Sequence, residues 1–519
     1  MKNLLYLPIF CLFFTPIFSQ TPVLVTDFNP GSDDSFDQWN YVGASIGDYL
    51  ILPVSSNEVG LEPGVYSNGT LSILKDINEG SAPSNPSQFT EYNGKIYFSA
   101  TNANGGALYV SDGTPEGTEI LFQLTSGAPM GLIVANPNHL YFSSGSTLYR
   151  TDGVELETIY SGIRLRKHQW WDQNANHNLY RGNLAFARAD NWEIEVFVVE
   201  GDEVVKLVTG EELSARGDIL GFAEVDEGII FNHEGFPSSS EAFGTYIYSA
   251  SDSSVTKMEI NDNPFSRTIP FNQNVSLGWV VGSGYYITNG TEEGTIRIIN
   301  SSLFIWLQNN TFENAVQGNQ LAFVGSFGTF GPNYLYLTDG TIDGTIQLNE
   351  IRDHRSIMIS KGNYAFIAAG TSNGLRPDIF MIDFENQSSS ILHSFSMPSN
   401  QSNSIQLVAV HNDKLFFTSN LDPSVGRELY YLELGFSVNT DDISTPEPLD
   451  ILITNSTYTL RSDNYSDYKL EIYSLDGRLI ESGVRQTNST YDYSHLQGMY
   501  LLRFIKENQS QSVKIFSGE

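Results

Sequence analysis

One short sequence element recurs along most of the chain, and its repetition limits the folds that the chain can adopt. The clearest copies read LYVSDGTPEGT at residues 108–118, LYLTDGTIDGT at 335–345 and YITNGTEEGT at 286–295. Weaker copies occur at 65–70 and 148–153. Repeats with a period of about 20 to 50 residues are typical of arrays in which each unit buries its apolar face against the next unit.

A second element precedes many of these copies and predicts the structure of one unit. It resembles NGKIYFS and occurs at 93–99, 138–143, 319–324, 363–367 and 412–418, with degenerate versions at 183–187 and 228–231. The aromatic and β-branched runs Ile96–Ser99 and Leu108–Val110 predict strands, and Asn93 with Gly94 predicts a tight hairpin turn. Four antiparallel strands per period of roughly 45 residues predict an all-β fold, a β-propeller of four-stranded blades.

The pattern also predicts how many blades form and how the ring closes. Nine hairpin units lie between Asp48 and Leu434, and eight blades remain an alternative if the unit Trp279–Ile299 is incomplete. The segment Val23–Phe28 resembles a fourth strand, and the last unit, Lys414–Leu434, lacks one of its own. We therefore expect the N-terminal strand to pair into the last blade, which removes exposed sheet edges.

The Asp-Gly-Thr element has two interpretations. An aspartate followed by glycine and threonine could form a Ca²⁺ or phosphate loop. The same residues are favoured in tight turns, because the carboxylate accepts backbone N–H groups and glycine adopts positive φ. The copies lack the alternating carboxylates of a Ca²⁺ loop, so the turn interpretation is preferred.

These segments resemble the ELWxTDGTxxGT repeats of secreted bacterial propeller-like proteins. The resemblance covers roughly residues 22–436. Tyr109 and Tyr336 stand where the family has tryptophan, and the leading glutamate occurs only at Glu428. The units near 183–260 and 363–392 have lost the Asp-Gly-Thr signature, so their blade limits are not set by the motif.

The N-terminal 19 residues predict a secretory signal peptide. Lys2 provides a positive charge, Leu4–Phe14 provides an apolar run too short to span a bilayer, and cleavage is expected after Ser19. Cys11, the single cysteine of the chain, lies in this segment. The mature protein is therefore expected to have no disulfide, and no later run predicts a transmembrane segment.

The C-terminal region is expected to be a separate small domain. Residues 437–448 have linker composition, and short alternating runs across 449–519 predict a small β-sandwich. This region resembles the type A sorting domain of type IX secretion, and the residues that match the sorting signal are Asp476, Gly477, Gly498, Tyr500 and Lys514. Glu447-Pro448 replaces the family's Asn-Pro near the domain start.

The resemblance of residues 449–519 to a sorting domain implies a destination and partners. It implies recognition by the type IX secretion machinery, passage across the outer membrane of a Gram-negative cell, and removal of the domain by a sorting peptidase. An extracellular or outer-membrane-surface location would follow.

The charge of the chain excludes one class of partner. With 27 Lys and Arg against 60 Asp and Glu, the net charge is −33, so nucleic acid is not expected to bind. The acidity is expected to favour solubility. The alternative is Ca²⁺ ligation, with residues 27–37, including Asp33 and Asp34, as the candidate segment. No other cofactor is indicated.

A catalytic motif is not recognisable, and one stretch is unusual enough to be a candidate ligand site. Residues 164–181 cluster basic, aromatic and imidazole side chains, of which the candidates are His168, Trp170, Trp171, Asp172 and His177. Tandem tryptophans can stack on sugars or cations. The alternative is an insertion whose aromatics pack against the ring.

Three classes of function fit these observations. A surface or secreted binding module for a protein or a glycan is preferred, because repetition without a catalytic motif favours recognition. The first alternative is a polysaccharide hydrolase or lyase with its site at the central channel, and the second is a structural surface-layer protein. Carboxylates of raised pKa converging at the channel would favour the enzyme.

Overall fold

The computed structural model divides the chain into two compact units, Met1–Val438 and Asn439–Glu519. The structure describes residues 21–36, 42–124, 134–136, 138–161, 179–181, 183–190, 193–208, 217–235, 243–260, 263–272, 274–280, 283–300, 314–326, 333–351, 358–370, 377–395, 405–435, 450–453, 457–461, 467–474, 479–486, 489–492, 498–506 and 509–517. These residues form 44 strands and no helix. Accordingly, no helix in these ranges is long and apolar enough to cross a membrane.

The first unit contains nine antiparallel sheets, each a blade. The first three blades are β2 (Ala44–Ile46), β3 (Tyr49–Ser56), β4 (Gly60–Ser67) and β5 (Thr70–Ile73); β6 (Ser87–Tyr92), β7 (Lys95–Asn102), β8 (Gly105–Ser111) and β9 (Glu119–Gln123); and β10 (Val134–Ala135), β11 (Leu140–Ser144), β12 (Thr147–Thr151) and β13 (Leu156–Ser161). Blades 4 and 5 are β14 (Leu179–Tyr180), β15 (Asn183–Asp190), β16 (Glu193–Glu200) and β17 (Glu203–Val208); and β18 (Gly217–Val225), β19 (Gly228–Gly235), β20 (Phe243–Ser249) and β21 (Val255–Lys257).

Blade 6 has four long strands preceded by a two-residue fifth strand. Its strands are β22 (Glu259–Ile260), β23 (Asn263–Pro270), β24 (Ser276–Val280), β25 (Gly284–Thr288) and β26 (Ile296–Asn300). Blades 7 and 8 are β27 (Asn314–Gln317), β28 (Gln320–Ser326), β29 (Asn333–Thr338) and β30 (Ile346–Ile351); and β31 (Ile359–Lys361), β32 (Tyr364–Gly370), β33 (Pro377–Asp383) and β34 (Ser388–Ser394). The unit around Trp279 is therefore a complete blade, and the ring has nine blades rather than eight.

Blade 9 is completed by the N-terminal strand, which confirms the expected closure. Its strands are β35 (Gln406–His411), β36 (Lys414–Ser419), β37 (Glu428–Glu433) and β1 (Val23–Leu24). Val23 pairs with Tyr431 and Leu24 with Tyr430, and the backbone N–H of Val25 donates to the carbonyl of Leu429 at 2.9 Å. The edge of β37 is thereby covered by chain from the opposite end of the sequence.

The recurrent phenylalanine and tyrosine form a stacked pair inside most blades. Phe98 on β7 lies directly opposite Tyr109 on β8, and their rings stack at 5.5 Å. Equivalent second-strand and third-strand pairs are Phe142–Tyr149, Phe186–Phe197, Phe231–Tyr246, Phe323–Tyr336 and Phe417–Tyr430. Such cross-strand aromatic pairs stabilise a sheet, which explains why both elements of the repeat carry aromatic residues.

Alternate residues of each blade pack against its two neighbours. Ile51 contributes to the core shared by blades 1 and 2, whereas Leu50 and Leu52 pack with Phe416 and Leu429 of blade 9. The period of two in a strand sends neighbouring side chains to opposite faces. Both faces of a blade are therefore apolar, and the core between blades 9 and 1 closes the ring.

The second unit consists of two antiparallel sheets with seven strands. One contains β38 (Asp450–Ile453), β39 (Thr457–Arg461) and β42 (Thr490–Asp492), and the other contains β40 (Asp467–Ser474), β41 (Leu479–Gln486), β43 (Gly498–Lys506) and β44 (Gln509–Ser517). Leu470, Ile472 and Leu502 of the four-stranded sheet are buried.

Candidate functional site

Within each Asp-Gly-Thr turn, the polar side chains form hydrogen bonds with groups of the same turn. In the turn after β8, Asp112 Oδ1 accepts hydrogen bonds from the backbone N–H of Thr114 at 2.9 Å and from its hydroxyl at 2.7 Å. The hydroxyls of Ser111 and Thr118 lie 2.7 Å apart. The turns that begin at Thr288 and Thr338 repeat this network. These hydrogen bonds explain why the motif contains an aspartate (or asparagine) and threonines, and the explanation requires no bound ligand.

Both glycines of the motif are required by close contacts. A Cβ on Gly117 would lie 2.1 Å from Asp112 Oδ1, and a Cβ on Gly113 would lie 2.3 Å from the ring of Tyr49 in blade 1. Gly113 also has a φ of 95°, which L-residues with a side chain rarely adopt. The motif therefore allows the turn of one blade to approach the preceding blade closely.

Gly113→Ala is expected to destabilise the propeller more than Gly69→Ala. Both glycines have positive φ, so each substitution costs about 1–2 kcal/mol of backbone energy. A Cβ on Gly69 would have no atom within 4 Å, whereas a Cβ on Gly113 meets Tyr49 and should cost about 1–3 kcal/mol more. Denaturant unfolding of both variants measures the difference, and equal midpoints would contradict the role of the contact.

A buried polar arrangement surrounds Glu428 at the start of β37. Its side chain is fully buried. Glu428 Oε1 accepts a hydrogen bond from the hydroxyl of Ser35 at 2.6 Å, and Oε2 accepts one from the backbone N–H of Phe28 at 3.4 Å. The backbone N–H of Ser35 donates to the carbonyl of Arg427 at 3.1 Å. One glutamate thus holds the segment that follows β1, and we call this arrangement the terminal latch.

A second copy of the same arrangement lies between blades 1 and 2. Glu62 on β4 is also fully buried and accepts hydrogen bonds from the backbone N–H groups of Ile77 at 3.0 Å and Ser84 at 2.9 Å. We call it the internal latch. Glu428 therefore has a counterpart at Glu62, which the sequence pattern around Glu428 does not reveal because Pro63 and Gly64 follow Glu62 where Leu429 and Tyr430 follow Glu428.

The two latched segments share a sequence signal. Residues 27–35 read DFNPGSDDS and residues 76–84 read DINEGSAPS. In both, the first aspartate accepts a hydrogen bond from the glycine N–H, at 3.2 Å for Asp27 with Gly31 and 3.1 Å for Asp76 with Gly80. This nine-residue similarity could have identified the two held segments from the sequence, but not the glutamates that hold them.

Burial raises the pKa of the carboxyl groups that hold connecting segments. Burial raises the pKa of Glu428 to about 7, opposed by the hydrogen bond from Ser35 and reinforced by the charge of Asp27. Burial likewise raises the pKa of Glu62. The same cause raises the pKa of Glu224 on β18, which accepts the backbone N–H of Arg181 at 2.9 Å.

The acidic segment proposed for Ca²⁺ directs its carboxylates to separate partners. Asp33 Oδ2 accepts from the Asn57 amide at 2.9 Å, and Asp34 Oδ1 accepts from the backbone N–H of Arg427 at 2.6 Å. Asp37 lies outside the described residues. Within the described ranges, no group of three or more His, Cys, Asp or Glu side chains is arranged to hold a metal ion.

The candidate ligand residues lie outside the described part of the chain. His168, Trp170, Trp171, Asp172 and His177 belong to residues 162–178, which connect β13, ending at Ser161, to β14, beginning at Leu179. Their segment therefore joins the fourth strand of blade 3 to the first strand of blade 4.

Part of the predicted sorting signal lies on one hairpin of the second unit. Gly498 and Tyr500 are on β43 and Lys514 is on β44, where Tyr500 pairs with Ile515 and Leu501 with Lys514. The backbone thus brings Tyr500 and Lys514 to neighbouring positions. Asp476 and Gly477 lie outside the described residues, in the connection from β40 to β41.

No protein-family model matches the sequence, and no curated protein matches it. Solved structures that match this chain include an oligogalacturonate lyase from Vibrio parahaemolyticus, 11% identical over 76% of this chain and 98% of that chain, with a TM-score of 0.37. TolB from Acinetobacter baumannii is 13% identical over 67% and 77%, with a TM-score of 0.29.

A third solved structure, PorZ of Porphyromonas gingivalis, is described as a surface component of the type IX secretion system. It is 10% identical over 92% of this chain and 75% of that chain, with a TM-score of 0.24. At these identities and TM-scores, none of the three similarities assigns an activity or a partner to this chain.

Proposed function

We propose that this protein is a secreted or cell-surface binding module, in which a face of the nine-bladed propeller recognises a protein or a glycan. We further propose that residues 449–519 direct its export by the type IX secretion system. The machinery of that system and its sorting peptidase are then its partners during export.

The observation that carries the binding proposal concerns the carboxyl groups. Within the described ranges, the carboxyls of raised pKa are Glu62, Glu224 and Glu428. Each accepts a hydrogen bond from the backbone of a connecting segment. A glycoside hydrolase needs two carboxyls facing one bond with room for the substrate. These three instead accept hydrogen bonds from the chain itself, which argues against a glycoside hydrolase built on them.

The ligand-binding residues that we propose are those of the segment between blades 3 and 4. Trp170 and Trp171 provide two adjacent aromatic faces that could stack on sugar rings or cations. His168, Asp172 and His177 provide hydrogen-bonding groups within nine positions of these tryptophans. A connection between blades is a suitable position, because binding residues are commonly carried on loops placed by a rigid scaffold.

A glycan panel scored for both retention and cleavage tests this proposal. The mature protein is expected to retain at least one glycan and to release no product. The double variant Trp170→Ala/Trp171→Ala is expected to lose at least about tenfold in affinity, equivalent to about 1.4 kcal/mol. Isothermal titration calorimetry or glycan-array fluorescence provides the measurement.

A matched tryptophan serves as the control. Trp306→Ala changes the same residue type in the connection between blades 6 and 7 and should leave the affinity unchanged. New reducing ends would instead identify a hydrolase, and unsaturated products a lyase. Either result replaces the binding proposal with the enzymatic alternative. Equal losses of glycan affinity in the double variant and in Trp306→Ala would show that Trp170 and Trp171 are not the binding residues.

A further inference from the structure

The two latches use the same chemistry in different topological settings. In the internal latch, residues 76–84 are tethered at both ends, by β5 and by β6. In the terminal latch, Glu428 holds residues separated from it by 393 and 400 positions. Breaking the internal latch therefore frees a loop, whereas breaking the terminal latch frees the segment that closes the ring.

The terminal latch is hydrogen-bonded to the second strand of blade 1 and to the turn that follows it. The amide of Asn29 donates to the carbonyl of Ser55 at 2.9 Å, and Asn29 Oδ1 accepts the backbone N–H of Asn57 at 2.9 Å. The backbone N–H of Ser55 donates to the carbonyl of Ser35 at 2.9 Å. The segment 27–35 thus bridges blade 9 and blade 1, and its docking couples the last blade of the ring to the first.

The groups around the Glu428 carboxyl are mainly acidic or neutral. The N-terminal segment contributes Asp27 and Asp34, the connection from β36 to β37 contributes Asp422 and Arg427, and β37 itself contributes Tyr430. The charge of Asp27 raises the pKa of Glu428, and the charges of Asp422, Glu428 and Asp27 all raise the pKa of Tyr430. A proton on Glu428 therefore reduces the repulsion between its buried carboxyl and the charge of Asp27.

We propose that the terminal latch is a pH-responsive clasp, in which protonated Glu428 holds residues 23–35 on blade 9 and ionised Glu428 releases them more readily. The hydrogen bonds from Ser35 and Phe28 set the geometry of the clasp. The burial of the carboxyl makes its ionisation costly.

The direction of the pH dependence follows from the two states of Glu428. Its pKa is about 7 when the segment is docked and near the ordinary 4.5 when the segment is released. Between these values the docked state keeps a proton that the released state has lost. The extra stability is fully present below about pH 4.5 and is lost as pH rises through about 7. The ratio of released to docked molecules should rise roughly 10- to 100-fold from about pH 5 to about pH 8.

Hydrogen exchange of the full chain tests the clasp. Protection factors of amides in residues 23–35, corrected for intrinsic exchange, are expected to fall roughly 10- to 100-fold from about pH 5 to about pH 8. Glu428→Gln keeps an acceptor for Phe28 or Ser35 but cannot ionise, so it should flatten the pH profile of this segment. A pH-independent wild-type profile, or an unchanged slope in Glu428→Gln, would overturn the proposal.

Glu62→Gln is the matched control, since Glu62 holds an equivalent segment through hydrogen bonds from the backbone N–H groups of Ile77 and Ser84. It should alter the exchange of residues 76–84 and leave the pH profile of residues 23–35 as in the wild type. Loss of pH dependence in residues 23–35 of this control would assign the effect to the fold as a whole rather than to Glu428.

Ser35→Ala provides a second test that does not alter an acid. The Ser35 hydrogen bond lowers the pKa of Glu428, so its removal should shift the midpoint of the exchange profile to higher pH. A midpoint that stays in place or moves down would contradict the role of Glu428 in the clasp, even if Glu428→Gln fails to fold.

Discussion

Removing residues 449–519 is expected to abolish export while leaving the propeller folded. The second compact unit begins at Asn439, so the deletion removes most of it and none of the nine blades. If these residues carry the sorting signal, the truncated chain should accumulate in the periplasm. Immunoblots of medium, cell surface and periplasm would measure its location, and denaturant unfolding would show whether the propeller transition is retained.

A matched pair of lysine substitutions separates the signal from the stability of the unit. Lys514 on β44 belongs to the predicted signal, whereas Lys469 on β40 is exposed and does not. We expect Lys514→Ala to reduce the exported fraction and Lys469→Ala to leave it unchanged. Normal export of the chain that lacks 449–519 would refute the proposed route, whatever the lysine variants do.

Removing residues 21–35 is expected to destabilise the propeller by at least about 3 kcal/mol. The deletion removes the partner of β37 and leaves the buried carboxyl of Glu428 without Ser35 and Phe28. It also removes Val25 and Phe28, which pack against the core between blades 9 and 1. Chemical denaturation should show a lower midpoint for this transition.

Light scattering adds a second readout for the same deletion. An uncovered β37 presents unpaired N–H and C=O groups, so concentration-dependent association is expected. The chain lacking 449–519 is the size control, because it loses more residues but keeps the ring closed. Equal midpoints for the two truncated chains would show that β1 and the terminal latch contribute little to stability.

The blade architecture could be predicted from short local patterns. The aromatic and β-branched run within Lys95–Asn102 and the Asn93-Gly94 turn are local properties, and the φ values of 49° and 69° at that turn are those its residues favour. The closure of the ring was predicted by counting strands, because the last unit lacks a fourth strand. That count predicted the pairing of Val23 and Leu24 with β37, which the structure confirms.

The latches could not be predicted from the recurrent sequence element alone. Glu62 and Glu428 become equivalent only when both are seen to accept hydrogen bonds from the segment after a fourth strand. For Glu428 that segment is remote in the sequence, at separations of 393 and 400 positions. The candidate residues between 162 and 178 stay predictions, because their segment lies outside the described residues.

The sequence by itself determined that this chain builds repeated four-stranded blades, because strand alternation and turn chemistry act between residues that are close along the chain. It also predicted that the N-terminal strand closes the ring. Only the tertiary structure decided that nine blades complete that ring and that Glu428 holds the closing segment. The reason is physical: the burial that raises the pKa of Glu428 exists only after the N-terminal segment, remote in the sequence, has docked against blade 9.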